Sequence, residues 1–542
     1  MSTVVLTSDR GTFSNYGGVS TLGYVACLPY NIVPETLMNN IFTPEAKMRH
    51  GETGIAPYAL RKLEAALVHA GITGVKITPP EDMEKYIDSN TKVLGINVHD
   101  PYGLSPVTFK LTMLFGGQKS WTSIFYERLE QKVEALKEKY GFKVIVGGPA
   151  VWQLGLRRPA YVDTLFNGEA EVDFPLLAKK AIAGEKLPSD VMGRMPKVEE
   201  IPTIIKGARF GEVQVTRGCP RGCQFCSITP ETYRTIPLDN VLEETRIELN
   251  AGFRDIELIT DDILLYGQKK LKVNHDALVE LFSGVKKLGA RYITFPHISA
   301  PAVLTAPETV MAISEIAGLK EYGAEAPVVG LETGSTRIME KYMNAKPYPW
   351  KPEDWKTVIN KATPIMNEAS IFPCYTMTIG FQDEKDSDVD ESIDIVDSII
   401  DNNYRAFIFP LPVIPMTSSH IHNDPFPYME GLPSKYWELL YISWKYDFKT
   451  IREIIPVMAG QMNPLLKVLV RYMTGTIFSH LDNIFKQLSE THGESSKRFS
   501  NIDLNSAAGF LKSIMWIGKA GLETKIKERK QSAATSYKDG PI

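Results

Sequence analysis

The stretch VTRGCPRGCQFCSITP, residues 215 to 230, decides how this chain is read. It holds three of the five cysteines, Cys219, Cys223 and Cys226, in the spacing C-x3-C-x2-C. Three thiolates so close together can hold a [4Fe–4S] cluster by three of its four irons and leave the fourth open. A structural zinc ion asks for four ligands, and no further Cys or His lies close by. Gly218, Pro220, Arg221 and Gly222 make the segment a turn rather than a packed element.

Working outward, the Cys-x3-Cys-x-aromatic-Cys pattern after a strand resembles the signature of the radical S-adenosylmethionine (SAM) superfamily. The resemblance implies that the SAM amino and carboxylate groups chelate the open iron, that one electron splits SAM into methionine and a 5′-deoxyadenosyl radical, and that Phe225 packs near the adenine. Around the loop, strand and helix signals alternate six times between residues 210 and 420. Val213–Val215 is followed by strands at 256–259, 292–295, 328–331, 372–379 and 404–410. This predicts a partial (β/α)6 barrel with function at the C-terminal ends of its strands. By the same resemblance, Glu332 and Thr333 in VGLETGS contact SAM, Ser299 in HISAPAV is a further contact, and Gly380 in TIGFQDEKDSD binds adenine, with Gln382 standing where the family often has Pro. Asp261 and Asp262 end the second strand, where simpler members place Gly-Gly-Glu. As bare residues, each of these carboxylates reads equally well as a helix cap.

Residues 1–185 alternate strand and helix too. Val4–Leu6, Val75–Thr78, Val93–Val98 and Val144–Val146 are apolar strands. Leu60, Leu63 and Leu67 form one helix stripe, and Phe125, Leu129, Val133, Leu136 and Tyr140 another. The order implies a parallel α/β sheet whose ligands sit beyond the carboxyl ends of the strands. Loops there carry His99, Asp100 and Tyr102, then Gly147, Gly148 and Pro149, then Asn167, Gly168 and Glu169. The glycines would let a ligand approach the backbone, or merely close tight turns. A GGP loop followed by NGEAE, upstream of the cysteine loop, resembles the Rossmann-like cobalamin-binding domain of class B radical SAM enzymes. That resemblance assigns these loop residues to cobalamin, with His99 a candidate axial cobalt ligand, although the D-x-H-x-x-G motif of other cobalamin proteins is missing.

Residues 186–209, rich in Gly and Pro, read as a linker. From 421 to 542 the pattern is helical. Trp437, Tyr441 and Trp444 make an aromatic stripe for packing against the barrel or for a lid. A further helix starts at Asn463 and Pro464, where Lys467 and Arg471 exclude a membrane span, and the tail from Thr524 is polar. Cys27 and Cys374 read as buried and inert. With no cysteine after Cys374, an auxiliary cluster domain and a second three-cysteine set of the methylthiotransferase kind are not expected.

Composition frames the rest. The chain has 542 residues, 44% hydrophobic and 23% charged, which describes a soluble globular protein of two or three domains. A net charge of -4 gives no basic excess for a nucleic-acid partner. No apolar run is long enough for a membrane span, no signal peptide is visible, and the few cysteines suit a reducing cytoplasm. The resemblance as a whole implies a cobalamin-dependent radical SAM methyltransferase that uses a [4Fe–4S] cluster, SAM and cobalamin, with a ferredoxin- or flavodoxin-like electron donor. Cobalamin would carry a methyl from one SAM, and the deoxyadenosyl radical from a second would take hydrogen from an unactivated sp3 carbon. The layout looks like archaeal enzymes that modify methyl-coenzyme M reductase after translation, above all the type that C-methylates a glutamine. Arginine, natural-product and lipid methyltransferases remain alternatives, as do a radical cyclase and a non-enzymatic corrinoid or iron–sulfur carrier.

Overall fold

A computed structural model describes residues 2–458, apart from 47, 50, 51, 324 and 428–430, together with 478–501 and 505. Its first half is built on six parallel strands: β1 (Val4–Ser8), β2 (Val75–Ile77), β3 (Val93–Asn97), β4 (Lys143–Gly147), β5 (Thr164–Asn167) and β6 (Asp190–Met192). They lie in the order β2-β1-β3-β4-β5-β6. Strands this apolar must be covered on both faces. On one face Val5, Leu94, Ile96, Val144 and Val146 pack with Tyr126, Leu129, Val133 and Leu136 of a long helix, Trp121–Tyr140. On the other, Val4, Leu6, Val93 and Ile145 pack with Leu60 and Leu67 of α1 (Tyr58–His69) and with Phe174, Leu177 and Ala178 of the helix Asp173–Ile182. The helix stripes expected from sequence are the faces that are buried.

The segment 186–209 is more than a connection. Asp190, Val191 and Met192 pair with Leu165, Phe166 and Asn167, so the stretch supplies the edge strand β6. Beyond β6 the chain is pinned to the helices it crosses: Lys62 donates to the Pro202 carbonyl at 2.7 Å, and the amides of Ile204 and Ala208 donate to Glu244 and Glu248 at 3.1 and 2.8 Å. The Gly and Pro content marks turns between these anchors.

The second half carries β7 (Glu212–Gln214), β8 (Asp255–Ile259), β9 (Tyr292–Thr294), β10 (Val328–Glu332), β11 (Cys374–Ile379) and β12 (Phe407–Pro412). All neighbours are parallel and sequential, in two groups of three. A parallel bridge between His297 and Val328 joins the groups, with Val328 N donating to Pro296 O at 2.7 Å. Sequential order with a helix after most strands is the arc of an open barrel, and the six units read from sequence are these six strands.

Of two long helices in the last part, Tyr436–Met458 packs beside β12 and Phe478–Glu490 packs on Tyr436–Met458. Trp437 is buried, and Trp444 stacks on Phe485 with ring centroids 4.4 Å apart. The aromatic stripe is therefore packing. Asp447 accepts the Ile408 amide at 2.8 Å and so covers the free edge of β12. The helix expected from Asn463, with Lys467 and Arg471, and the polar tail lie outside the described residues. Among the described residues no helix is long and apolar enough to cross a membrane.

Candidate active site

The cysteine loop leaves β7 and is closed by a short antiparallel ladder that pairs Thr216 with Thr235 and Arg217 with Arg234. Gly218 and Gly222 take left-handed φ of +77° and +69°, which folds the loop on itself. A Cβ at Gly218 would press within 2.9 Å of the Glu231 carbonyl oxygen. Cys223 is buried, and Cys219 and Cys226 are part-buried. Burial pushes all three thiols up, Cys226 to about 12, and Cys219 and Cys226 also feel the charge of other cysteines of the loop. Iron would reverse this, because a coordinating thiol is deprotonated outright. Among the described residues no three His, Cys, Asp or Glu side chains gather as around a single metal ion. Thiolates that each take a different iron of a cluster need no such convergence, so the donor set fits [4Fe–4S].

The surrounding polar groups come from several strand ends. Arg221, in the loop, donates to the Lys346 carbonyl at 2.8 Å and to Ser299 Oγ at 2.9 Å. Ser299 in turn donates to Asp262 Oδ2 at 2.5 Å, which stands 3.7 Å from Arg221. Asp261 accepts the Gly218 amide. Burial raises both aspartates. Ser299, Asp261 and Asp262 thus brace the cysteine loop, and Ser299 is already committed at both ends.

Glu332 terminates β10 with φ +65° at a register shift against β11. Its carboxylate pairs with Lys346 Nζ at 3.0 Å and accepts Thr378 Oγ1 at 2.7 Å. A Cβ at Gly330 would collide with both Glu332 and Lys346, so glycine makes room for the pair. Burial alone would lower Lys346; Glu332 and the nearby Cys223 hold it above its ordinary value. Thr333 is fully buried and its hydroxyl accepts the Ser335 amide at 3.1 Å, a turn-forming role that leaves it no visible reach to a ligand. Phe225 packs edge-on to Phe381, 5.8 Å between centroids, and Phe381 stacks on Tyr342. Gly380, at φ +97°, donates its amide to Glu384 Oε2 at 2.5 Å. Burial raises Glu384 to about 7.

Sequence reading missed Lys346, Arg221 and Glu384. Glu384 lies two residues after Gln382 in TIGFQDEKDSD and could have been found there. Lys346 lies in the loop NAKPYP and carried no signal.

The loops beyond the N-terminal sheet divide. His99 is solvent-accessible yet enclosed in a crevice, where burial first and then Arg209 lower its pKa and keep the imidazole neutral. Asp100 is buried; its Oδ1 accepts Gln153 Nε2 at 2.7 Å and the Ser105 amide at 3.0 Å. Tyr102 spends its hydroxyl on the Arg157 carbonyl at 2.7 Å and its ring on Tyr126, so it is not placed as a metal ligand. The glycine loop serves the sheet. Gly148 has φ +114°, and a Cβ there would lie 2.5 Å from the Val98 carbonyl of the neighbouring chain segment. The close approach that demands glycine is therefore strand against strand. Gly147 pairs with Asn97, and Pro149 is exposed. Asn167 accepts the Gly193 amide at 2.7 Å, and Gly168 turns at φ +84°. Glu169 is bound to Arg217 and Arg234 of the cysteine-loop stem.

The first half meets the barrel through the helix Pro106–Leu114, which packs against β12. Tyr24 is 50% exposed, yet surrounding protein raises its hydroxyl to about 12, with Cys374 and Cys27 nearby. Cys374 stands on β11, on the same strand face as Thr376 and Thr378, and burial pushes its thiol and that of Cys27 to about 12. Both cysteines, expected to be buried, are part-buried. Buried polar atoms without a hydrogen-bond partner include Ser8 Oγ at the end of β1, Asp100 Oδ2, Arg209 Nε, Arg221 Nε and Glu384 Oε1. Native proteins leave few such atoms.

The sequence pattern of the radical SAM superfamily matches residues 213–396, from β7 and the cysteine loop through the G-F-Q-D-E turn. Residues 213–396 are a radical SAM domain. Such a domain works with a [4Fe–4S] cluster and SAM, and the three loop cysteines are the donors on hand. The chain is 24% identical over 302 residues to an uncharacterised methyltransferase of Pyrococcus horikoshii, covering 50% of this chain and 60% of that protein. It is 25% identical over 277 residues to the tRNA-2-methylthio-N(6)-dimethylallyladenosine synthase of Vesicomyosocius okutanii, covering 49% and 59%. The chain thus spans about six-tenths of the length of these curated relatives. Among solved structures, the radical SAM methyltransferase TsrM of Kitasatospora setae, bound to tryptophan and the SAM analogue aza-SAM, superposes with a TM-score of 0.51 over 78% of this chain and 76% of TsrM, at 13% identity. That likeness is one of fold, and it extends well beyond the radical SAM domain into the rest of the chain.

Proposed function

We propose that the protein is a cobalamin-dependent radical SAM methyltransferase that adds a methyl group to an unactivated sp3 carbon. The observation that carries the reading is a pair of polar sites at the strand ends of the two sheets. At one stand the cysteine loop, Glu332, Lys346 and Gly380; at the other stand His99 and the unpaired Ser8 Oγ and Asp100 Oδ2 at the carboxyl ends of parallel strands. Ligands of such sheets bind at that edge. Residues 1–185 would hold cobalamin, residues 210–420 the cluster and SAM, and the helices Tyr436–Met458 and Phe478–Glu490 would buttress the barrel.

When bound, the cluster and SAM supply a deoxyadenosyl radical, and cobalamin supplies the methyl group. The chain's own residues bind and orient. Cys219, Cys223 and Cys226 would hold three irons. Arg221 and Lys346 set two positive charges beside Cys223. Glu332 would contact a SAM hydroxyl or ammonium, and Phe225 and Gly380 would pack near the adenine. His99, kept neutral, can offer a ring nitrogen to cobalt. The proposed substrate is a glutamine Cα in a protein, with a ferredoxin- or flavodoxin-like electron donor in the cytoplasm.

The test is an anaerobic incubation of reconstituted enzyme with SAM, a reductant, and peptides bearing internal glutamine or arginine, alongside free tryptophan. S-adenosylhomocysteine and 5′-deoxyadenosine in equal yield, with one methyl gained on the glutamine peptide, are the expected result. Methylation of another substrate would replace the glutamine proposal alone. Deoxyadenosine without any methylated product would contradict methyl transfer. An unchanged corrinoid spectrum in His99→Ala would reject His99 as the cobalt ligand.

A further inference from the structure

The cysteine loop stands on a stem whose two strands each carry an arginine, and the ladder sets Arg217 directly opposite Arg234. Like charges at directly opposed positions push strands apart. Both side chains are nearly buried, at 10% and 7% exposure, so water does little to screen them. Their partners come from the other half of the molecule. Glu169 accepts Arg217 Nη1 at Oε2, and Arg234 at both oxygens, at 2.5 and 3.0 Å. Glu171 accepts Arg217 Nη2 at 2.5 Å. Both carboxylates sit in the turn after β5, which Gly168 folds back at φ +84°. The remaining bonds of the arginines are local: Arg217 Nε to Gln214 Oε1 at 2.8 Å, Arg234 Nε to the Thr232 carbonyl at 3.0 Å, and Arg234 Nη1 to the Pro196 carbonyl at 2.9 Å. Glu231 stands 3.9 Å from Arg234.

We infer that Glu169, assisted by Glu171, is a positioning residue for the cluster-binding loop: it clasps the two stem arginines together from the N-terminal sheet, two residues from Cys219. The NGEAE turn then works on the cluster loop and not on a ligand of the N-terminal half. Without the Glu169 charge, two buried guanidiniums face each other across a ladder of two residue pairs, and the stem opens. The thiolates lose their common frame while both sheets keep their cores. The inference rests on the cysteine loop being the cluster site.

The experiment uses the full chain as wild type, Glu169→Gln, Glu169→Asp and Glu171→Gln. The first readout is amide hydrogen exchange of residues 218–233 in metal-free protein. The second, after anaerobic reconstitution, is the rate at which a ferrous chelator strips iron from the cluster. Glu169→Gln is expected to raise loop exchange and speed iron release by about tenfold each, the scale of one lost charge-assisted hydrogen bond. Glu171→Gln should do less, and Glu169→Asp should recover much of the difference. Exchange in β8, β9 and the N-terminal sheet should stay as in wild type. Equal loop exchange and equal iron release in wild type and Glu169→Gln would overturn the inference, as would a rise in exchange spread evenly over both sheets. A wild-type chain that takes up no cluster would overturn the cluster reading instead, and with it any role of Glu169 in positioning one.

Discussion

Glu332 and Lys346 make a buried ion pair beside the cysteine loop, and its removal has a calculable pattern. The carboxylate and ammonium stand 3.0 Å apart, with side chains 9% and 13% exposed. At an effective dielectric of about 20 their attraction is about 5.5 kcal/mol. That figure is not the net worth of the pair, because both charges lose hydration on burial. Removing one partner leaves the other buried and unpaired, which typically costs about 3–5 kcal/mol. Replacing both with apolar or neutral groups of similar size is typically near neutral. Lys346→Met and Glu332→Gln are therefore each expected to lose about 3 kcal/mol or more, and the double variant to lose less than either one. For a unit of 150–250 residues, about 1 kcal/mol moves the melting temperature by about 2–4 °C, so each single change should lower it by about 6 °C or more. Calorimetry on all four metal-free proteins reads this directly. Single effects that simply add in the double variant would refute the argument, since two residues without mutual interaction behave that way.

Other consequences are independent of this pair. Gly148→Ala forces φ +114° on a residue with a side chain and drives it onto the Val98 backbone; a loss of about 3 kcal/mol or more in urea denaturation is expected, and a melt unchanged within error would contradict strand-against-strand packing there. Glu248 is fully buried, its Oε2 has no partner, and burial raises it to about 9 from an ordinary 4.5. The folded state then holds a proton that the unfolded state releases, so this group's contribution is greatest below pH 4.5 and is lost as pH rises towards 9. Glu248→Gln should match wild type in melting temperature near pH 5 and exceed it at pH 8–9. Lys110 is buried over the rings of Phe409 and Trp444, 5.6 and 5.3 Å from their centroids, and burial lowers it to about 7. Here the unfolded state binds the extra proton between pH 7 and 10, so stability gains with rising pH in that window. Lys110→Met should flatten that rise and raise the melting temperature most at or below pH 7.

What the sequence made legible was local. Three cysteines in one glycine-punctuated loop, apolar runs of strand length, and apolar helix stripes all declare themselves within a few residues. So did the parallel alternation of strand and helix in both halves, but not the order of the N-terminal sheet, whose strands Thr164–Asn167 and Asp190–Met192 carried no strand reading. What stayed hidden depends on which segments meet in space. Lys346 reaches Glu332 from a proline-rich loop without a motif. Glu169 meets Arg217 and Arg234 across 48 and 65 positions of chain, so a charged residue assigned by motif to a ligand is instead spent on the cysteine loop. Gly148 looked like a ligand-approach glycine because sequence cannot say whether the neighbour is a cofactor or the adjoining strand. The same ambiguity made 186–209 look like a linker, although Val191 adds it to the sheet edge.

The central claim is that the loop at 219–226 holds a [4Fe–4S] cluster that cleaves SAM. The most direct measurement is anaerobic reconstitution of wild type and of Cys226→Ala, with iron quantified, the dithionite-reduced protein recorded by electron paramagnetic resonance, and 5′-deoxyadenosine measured after SAM is added. The account predicts about four irons per wild-type chain, a reduced-cluster signal that changes when SAM binds, deoxyadenosine formation, and the loss of all three in Cys226→Ala. Wild-type protein that binds no cluster, or binds one and leaves SAM intact, would contradict it.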